Sequence, residues 1–68
     1  MRYAIVIEKA VGNYSAYVPD LPGCVAAGRS RREVEKLILE AIRLHLEGLR
    51  QDGLSAPEPS SICEYVEA

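Results

Sequence analysis

Three sets of side chains and one short motif in this 68-residue chain could do chemistry, and each depends on partners the sequence must also supply. Cys24 would act as a nucleophile only with a base in hydrogen-bond reach. The single histidine, His45, lies well downstream in a leucine-rich run. So placed, His45 reads as a core or interface residue and Cys24 as a small buried hydrophobe. Glu8 and Asp20 are the only acids in or beside the first extended segments. Metal-assisted phosphoryl transfer needs carboxylates converging on one cation, and nothing in this spacing brings the two together. One histidine and two scattered cysteines also lack the ligand spacing of a zinc site. No catalytic group, metal or cofactor is expected.

The arginines Arg29, Arg31 and Arg32 form a second kind of candidate. They sit where a helix is predicted to begin. Cations there oppose the helix dipole by about 0.3 kcal/mol or more each. Such a ring could instead contact a phosphate or carboxylate at the helix N-terminus. Glu33 and Glu35 partly offset the charge, and a solvated face is the simpler reading.

"VPDLPGC", residues 18–24, is the most specifically built stretch. Pro19 has no N–H and so ends a strand ladder. Asp20 is expected to bond amides two residues on, as turn aspartates do. Pro22-Gly23 fits the centre of a type II turn, where glycine accepts the positive φ. Leu21 either plugs the core or offers an apolar knob to a partner. A rigid corner also makes a good binding loop, so Asp20, Leu21, Pro22 and Gly23 are candidate partner contacts.

These residues need a scaffold. "YAIVIE" at 3–8 alternates, with Tyr3, Ile5 and Ile7 on one face and Ala4, Val6 and Glu8 on the other, which predicts a strand. "YSAYV" at 14–18 predicts a second, joined by a loop over Lys9 to Asn13. "CVAAG" at 24–28 predicts a short third. "SRRE" then matches a capping box in which Ser30 accepts from the Glu33 amide and the Glu33 side chain reaches back to Ser30. Helical periodicity continues to Asp52, and Gly53 suits the left-handed residue that ends a helix. "LSAPEPSS" reads as a connector and "ICEYVE" at 62–67 as a last strand. The predicted class is α+β, of order β-β-β-α-β, with one long helix on one face of a mainly antiparallel sheet.

Apolar residues cover well over half of that helix's circumference, more than the stripe of a little over 100° that one sheet requires. The helix should run roughly 33 Å, against about 17–20 Å for the strands. Its far end is expected to overhang and expose Leu46 and Leu49. Leu39, Ile42, Leu46 and Leu49 are therefore the expected interface of a dimer or tetramer.

Size points the same way. A domain this small buries only about 60% of its unfolded surface and generally needs a disulfide, a metal or a second chain. Cys24 and Cys63 follow no signal peptide, so a reducing cytoplasm with free thiols is expected. No apolar run approaches the ~20 residues of a membrane span. The net charge of −2 argues against sequence-independent nucleic-acid binding. From residue 51 onward every charge is negative (Asp52, Glu58, Glu64, Glu67), which suits a basic protein partner. Asp52, Glu58 and Glu64 join the candidate contacts.

From Tyr17 to Ser60 the chain carries "PDLPGC", the "GRSRRE" entry to the helix, "EAI" followed by "HLE", and a final "PEP". This set, in this order, resembles the HicB family of toxin–antitoxin antitoxins. The resemblance implies a partial ribonuclease H-like fold and a non-enzymatic protein that binds and neutralises a HicA toxin, a small basic ribonuclease that cleaves mRNA through a histidine. Many HicB proteins carry a C-terminal helix-turn-helix or ribbon-helix-helix domain that represses their own operon. Residues 1–68 are expected to form a single HicB-like domain without that part, so direct DNA binding is not expected. Two rival readings remain: an RNA- or anion-binding module centred on the arginines, and an orphan ribonuclease H-like domain with residual metal-dependent nuclease activity.

Overall fold

The computed structural model describes residues 1–68. Its order is β1 (Val6–Ala10), β2 (Asn13–Tyr17), β3 (Val25–Gly28) and α1 (Arg31–Gln51). The strands form one antiparallel sheet in the order β1-β2-β3, followed by one long helix, an α+β fold. The β1–β2 connection is tighter than the sequence implied. Lys9 pairs with Tyr14 and Ala10 with Asn13, leaving Val11 and Gly12 alone in the turn. Gly12 has φ 84, the positive value that the third position of a type II turn requires. At its other end β1 starts at Val6, not Tyr3. Tyr17 is the last β2 residue to pair with it, because the next, Val18, donates its amide to Cys24 across the corner.

Ile7, Ala16 and Ala26 stand in register across the sheet on its inner face. Val6, Tyr17 and Val25 form the corresponding row on the outer face. α1 packs on the inner face over β3 and β2. The core is Ala16, Val18, Leu21, Cys24, Val34 and Ile38. Gly28 lets the helix approach β3 closely: a Cβ there would lie 3.0 Å from both the Val34 amide nitrogen and the Glu33 carboxylate.

Ser30 caps α1, its Oγ accepting from the Glu33 amide at 3.1 Å. The return half of the capping box lands one residue earlier than expected, with the Arg29 amide donating to Glu33 Oε1 at 3.0 Å. The helix ends in a Schellman motif: Gly53 donates to the Arg50 carbonyl and Leu54 to that of Leu49. Gly53 is left-handed at φ 74, as expected.

Two expectations need correction. Leu46 and Leu49 are half-buried, not exposed. Tyr3 and Ile5 extend the apolar inner face past the paired strands, and Leu46 packs with them against the core cluster. The exposed leucines of α1 are Leu39 and Leu44, at 46% and 75%. The segment 62–67 is not a strand. It passes β1, and the Cys63 thiol lies 3.7 Å from the Ile5 carbonyl, yet no backbone–backbone hydrogen bond involves any residue after Leu54. The connector is held by side chains instead, and Pro57 and Pro59 within it have no N–H to give a ladder. No helix is long and apolar enough to cross a membrane.

Candidate partner-binding surface

The corner after β2 is two turns in succession. Leu21 donates its amide to the Val18 carbonyl and Cys24 donates to that of Leu21, each at 3.1 Å. The Val18 amide closes the loop onto the Cys24 carbonyl at 3.2 Å. Pro22 and Gly23 occupy the centre of the second turn, and Gly23 takes φ 83, as a type II turn demands. Pro19 stands two residues beyond the end of β2, after Val18.

Leu21 is fully buried, at 0% exposure. Of its two readings the core plug is the one realised, which corrects its place among the expected partner contacts. With the corner folded over it, no apolar knob reaches solvent. Pro22 and Gly23 are exposed and form the accessible tip.

Asp20 does something the sequence did not show. The residue two positions on is Pro22, which has no N–H to give. The half-buried carboxylate reaches across the molecule instead: Oδ2 accepts from the Ser60 and Ser61 amides, both at 3.0 Å, and Oδ1 accepts from their hydroxyls at 3.0 and 2.9 Å. Donation from the Ser61 amide, then the Ser60 amide, holds the carboxyl down to about 2. Hydrogen bonds to the charged form favour it. The Tyr3 hydroxyl adds a second tie, donating to the Pro57 carbonyl at 2.6 Å. The corner and the C-terminal segment therefore form one surface, along which Glu58 and Glu64 are exposed. Asp52, also exposed, is the C-cap of α1.

The other candidates are scattered. Arg31 is paired with Glu35 at 3.0 Å. Glu33, bound to the Arg29 amide and capped through Ser30, holds the helix N-terminus where an anion would sit. Arg29 and Arg32 are exposed. Cys24 is buried, and burial pushes its thiol up. His45 is half-buried on α1. No three His, Cys, Asp or Glu side chains come together as a metal-holding group.

A shallow groove of about 420 Å³, lined by Ile5, Ile7, Lys9, Tyr14, Arg31, Glu35, Cys63 and Tyr65, also went unforeseen. Its signal lay in the alternation of "YAIVIEK", which needs an inner cover along its whole length. The clamp serines had a weaker signal, the amide that Pro22 lacks.

A three-stranded antiparallel sheet backed by one helix, with its corner laced to the C-terminal segment, defines a small α+β module whose accessible features are surfaces and shallow grooves. The chain belongs to the HicB-like antitoxin family of bacterial toxin–antitoxin systems, whose model matches residues 3–68. An uncharacterised 14.9 kDa protein of Haemophilus phage HP1 is 39% identical over 66 residues, which cover 97% of this chain and 50% of the phage protein. This chain thus spans about half the length of that relative. A UPF0150 protein of Thermoplasma acidophilum is 36% identical over 62 residues, covering 90% of each chain. Among solved structures, a chain of the HicA3 and HicB3 toxin–antitoxin complex is 35% identical and superposes with a TM-score of 0.73, covering 87% of this chain and 70% of that one.

Proposed function

We propose that this protein binds and neutralises a small, basic, HicA-type ribonuclease toxin in the cytoplasm, by occlusion and without catalysis of its own. The observation that carries this reading is the likeness, 35% identical across 87% of the chain, to a chain of a HicA3–HicB3 complex. Charge agrees with it, since every ionisable side chain after Arg50 except those of Cys63 and Tyr65 is acidic. The proposed contact surface is the exposed Pro22–Gly23 tip together with Asp52 and Glu58. Asp20 is a positioning residue, because it fixes the acidic segment against the corner. A partial ribonuclease H-like fold belongs to this reading, without nuclease chemistry of its own.

The test is co-expression with a HicA-type toxin encoded beside this gene. The proposal expects restored growth and a stable complex on size exclusion. Continued growth arrest with no co-elution would refute it. RNA incubated with Mg²⁺ or Mn²⁺ and the purified chain should stay intact, and cleavage lost on Asp20→Ala would favour an enzyme instead.

A further inference from the structure

Residues 55–68 are held to the rest of the molecule without a single backbone–backbone hydrogen bond. The Tyr3 hydroxyl donates to the Pro57 carbonyl at 2.6 Å, and the Cys63 thiol lies 3.7 Å from the Ile5 carbonyl. Between them, two consecutive serines give four donors to one acceptor, the Asp20 carboxylate. Ser60 is the accessible half of that clamp: it is exposed, whereas Ser61 is half-buried. Pro57 and Pro59 bias the residues before them toward extended backbone. A segment with no ladder opens at low cost while the sheet and helix stay folded, which lets an enzyme's cleft take Ser60 as an extended strand. Ser55, exposed in the same connector, lies outside the clamp.

The clamp depends on the Ser60 hydroxyl being a donor. Its Oγ gives its proton to Asp20 Oδ1 at 3.0 Å, and the carboxylate it meets stays ionised at any pH near neutral. A phosphate on that oxygen removes the donated proton and adds about −1.5 to −2 charges with acceptor oxygens only. Two anions would then face each other where a donor now faces an acceptor, and like charges beside an acidic group disrupt the contact. The neighbouring amides cannot offset this, because Asp20 and the new phosphate would compete for the same two N–H groups.

We propose that Ser60 is a phosphorylation site for a serine kinase, and that its phosphate opens the Asp20 clamp and frees the chain beyond Pro57. Ser60 Oγ attacks the γ-phosphorus of a nucleoside triphosphate. A P–O bond to serine forms as the bond to the bridging oxygen breaks, the nucleoside diphosphate leaves with that electron pair, and the serine proton passes through the kinase's base to solvent. Opening carries Glu58 away from the Pro22–Gly23 tip. Weaker toxin binding as a consequence rests on the antitoxin reading, whereas the opening itself does not.

The experiment uses full-length chains. Chain recovered from its own cells with phosphatases inhibited should carry a phosphoryl group on Ser60 by tandem mass spectrometry. Chain synthesised with a phosphate on Ser60 should exchange the Glu58, Ser60 and Ser61 amides several-fold faster, with β2 and the middle of α1 unchanged. A phosphate on Ser55 should leave that exchange as it is in the unmodified chain. In Asp20→Ala, where the segment is already free, phosphorylating Ser60 should add nothing. No phosphate on Ser60 in growing or starved cells, exchange unmoved by the Ser60 phosphate, or an equal rise from the Ser55 phosphate would each overturn the proposal. Titration of a HicA-type toxin into the Ser60-phosphorylated chain separates the two readings. An affinity several-fold weaker supports both, whereas full affinity with a freed segment upholds the clamp switch and overturns the proposed contact surface.

Discussion

Asp20 and Ser61 stand 41 positions apart in the chain, yet the carboxylate of one accepts both the amide and the hydroxyl of the other, at 3.0 and 2.9 Å. With Ser60 making the same two bonds, this contact replaces the strand ladder that would otherwise hold the C-terminal segment. It joins the corner to the acidic segment, and so decides whether the chain presents one surface or two.

Asp20→Ala should free the segment while the sheet and helix persist. Amide exchange at Ser60 and Ser61 should rise several-fold, with exchange in β2 and in the middle of α1 unchanged. Hydrogen-exchange mass spectrometry distinguishes this local release from global unfolding.

The same clamp should respond to acid. The folded carboxyl is lowered from 3.8 to about 2, so its contribution to stability is fully present above the unfolded value. It declines as pH falls from about 4 and is gone below about 2. A pH series of segment exchange should show this loss in the native chain and none in Asp20→Ala.

Leu21→Ala should cost about 2–5 kcal/mol, the range for emptying a packed leucine site. Its exposed neighbour Pro22, replaced by alanine, should cost no more than about 1 kcal/mol, chiefly through the freer unfolded chain. Urea denaturation measures both. Equal costs at the two positions would contradict the corner described above.

The helix entry makes a graded pair. Ser30→Ala removes the acceptor for the Glu33 amide and should cost about 1 kcal/mol. Gly28→Ala pushes a methyl against the Val34 backbone nitrogen and should cost about 1–3 kcal/mol, as overpacking does. Thermal melts of both variants test the order.

Native-state alkylation should label Cys63 rapidly and Cys24 only on unfolding. Cys63 is exposed, whereas Cys24 is buried with its thiol pushed toward the neutral form, and the thiolate is the reactive species. Equal labelling would mean that the corner opens readily.

The helix was legible because its signals are local and agree with one another. Ser30 and Gly53 bracket an apolar period, and the structure puts the cap and the left-handed residue at those positions. The type II turn at Pro22–Gly23 was legible for the same reason. The last strand was not, because "ICEYVE" has strand-like composition but pairing depends on where residues 54–61 deliver it. That route is set by Asp20 and Tyr3, contacts separated by 40 and 54 positions in sequence. Leu21 was ambiguous from sequence because either face of the corner could have taken it, and only the depth of the core beneath decides.

Titration calorimetry of a purified HicA-type toxin into this chain tests the central claim most directly. The account predicts saturable one-to-one binding per chain with a submicromolar Kd, weakened at least about tenfold by Asp52→Lys/Glu58→Lys, a change on the order of 1.4 kcal/mol. A cognate toxin that gives no saturable heat, or that binds the charge-reversed chain equally well, would contradict it.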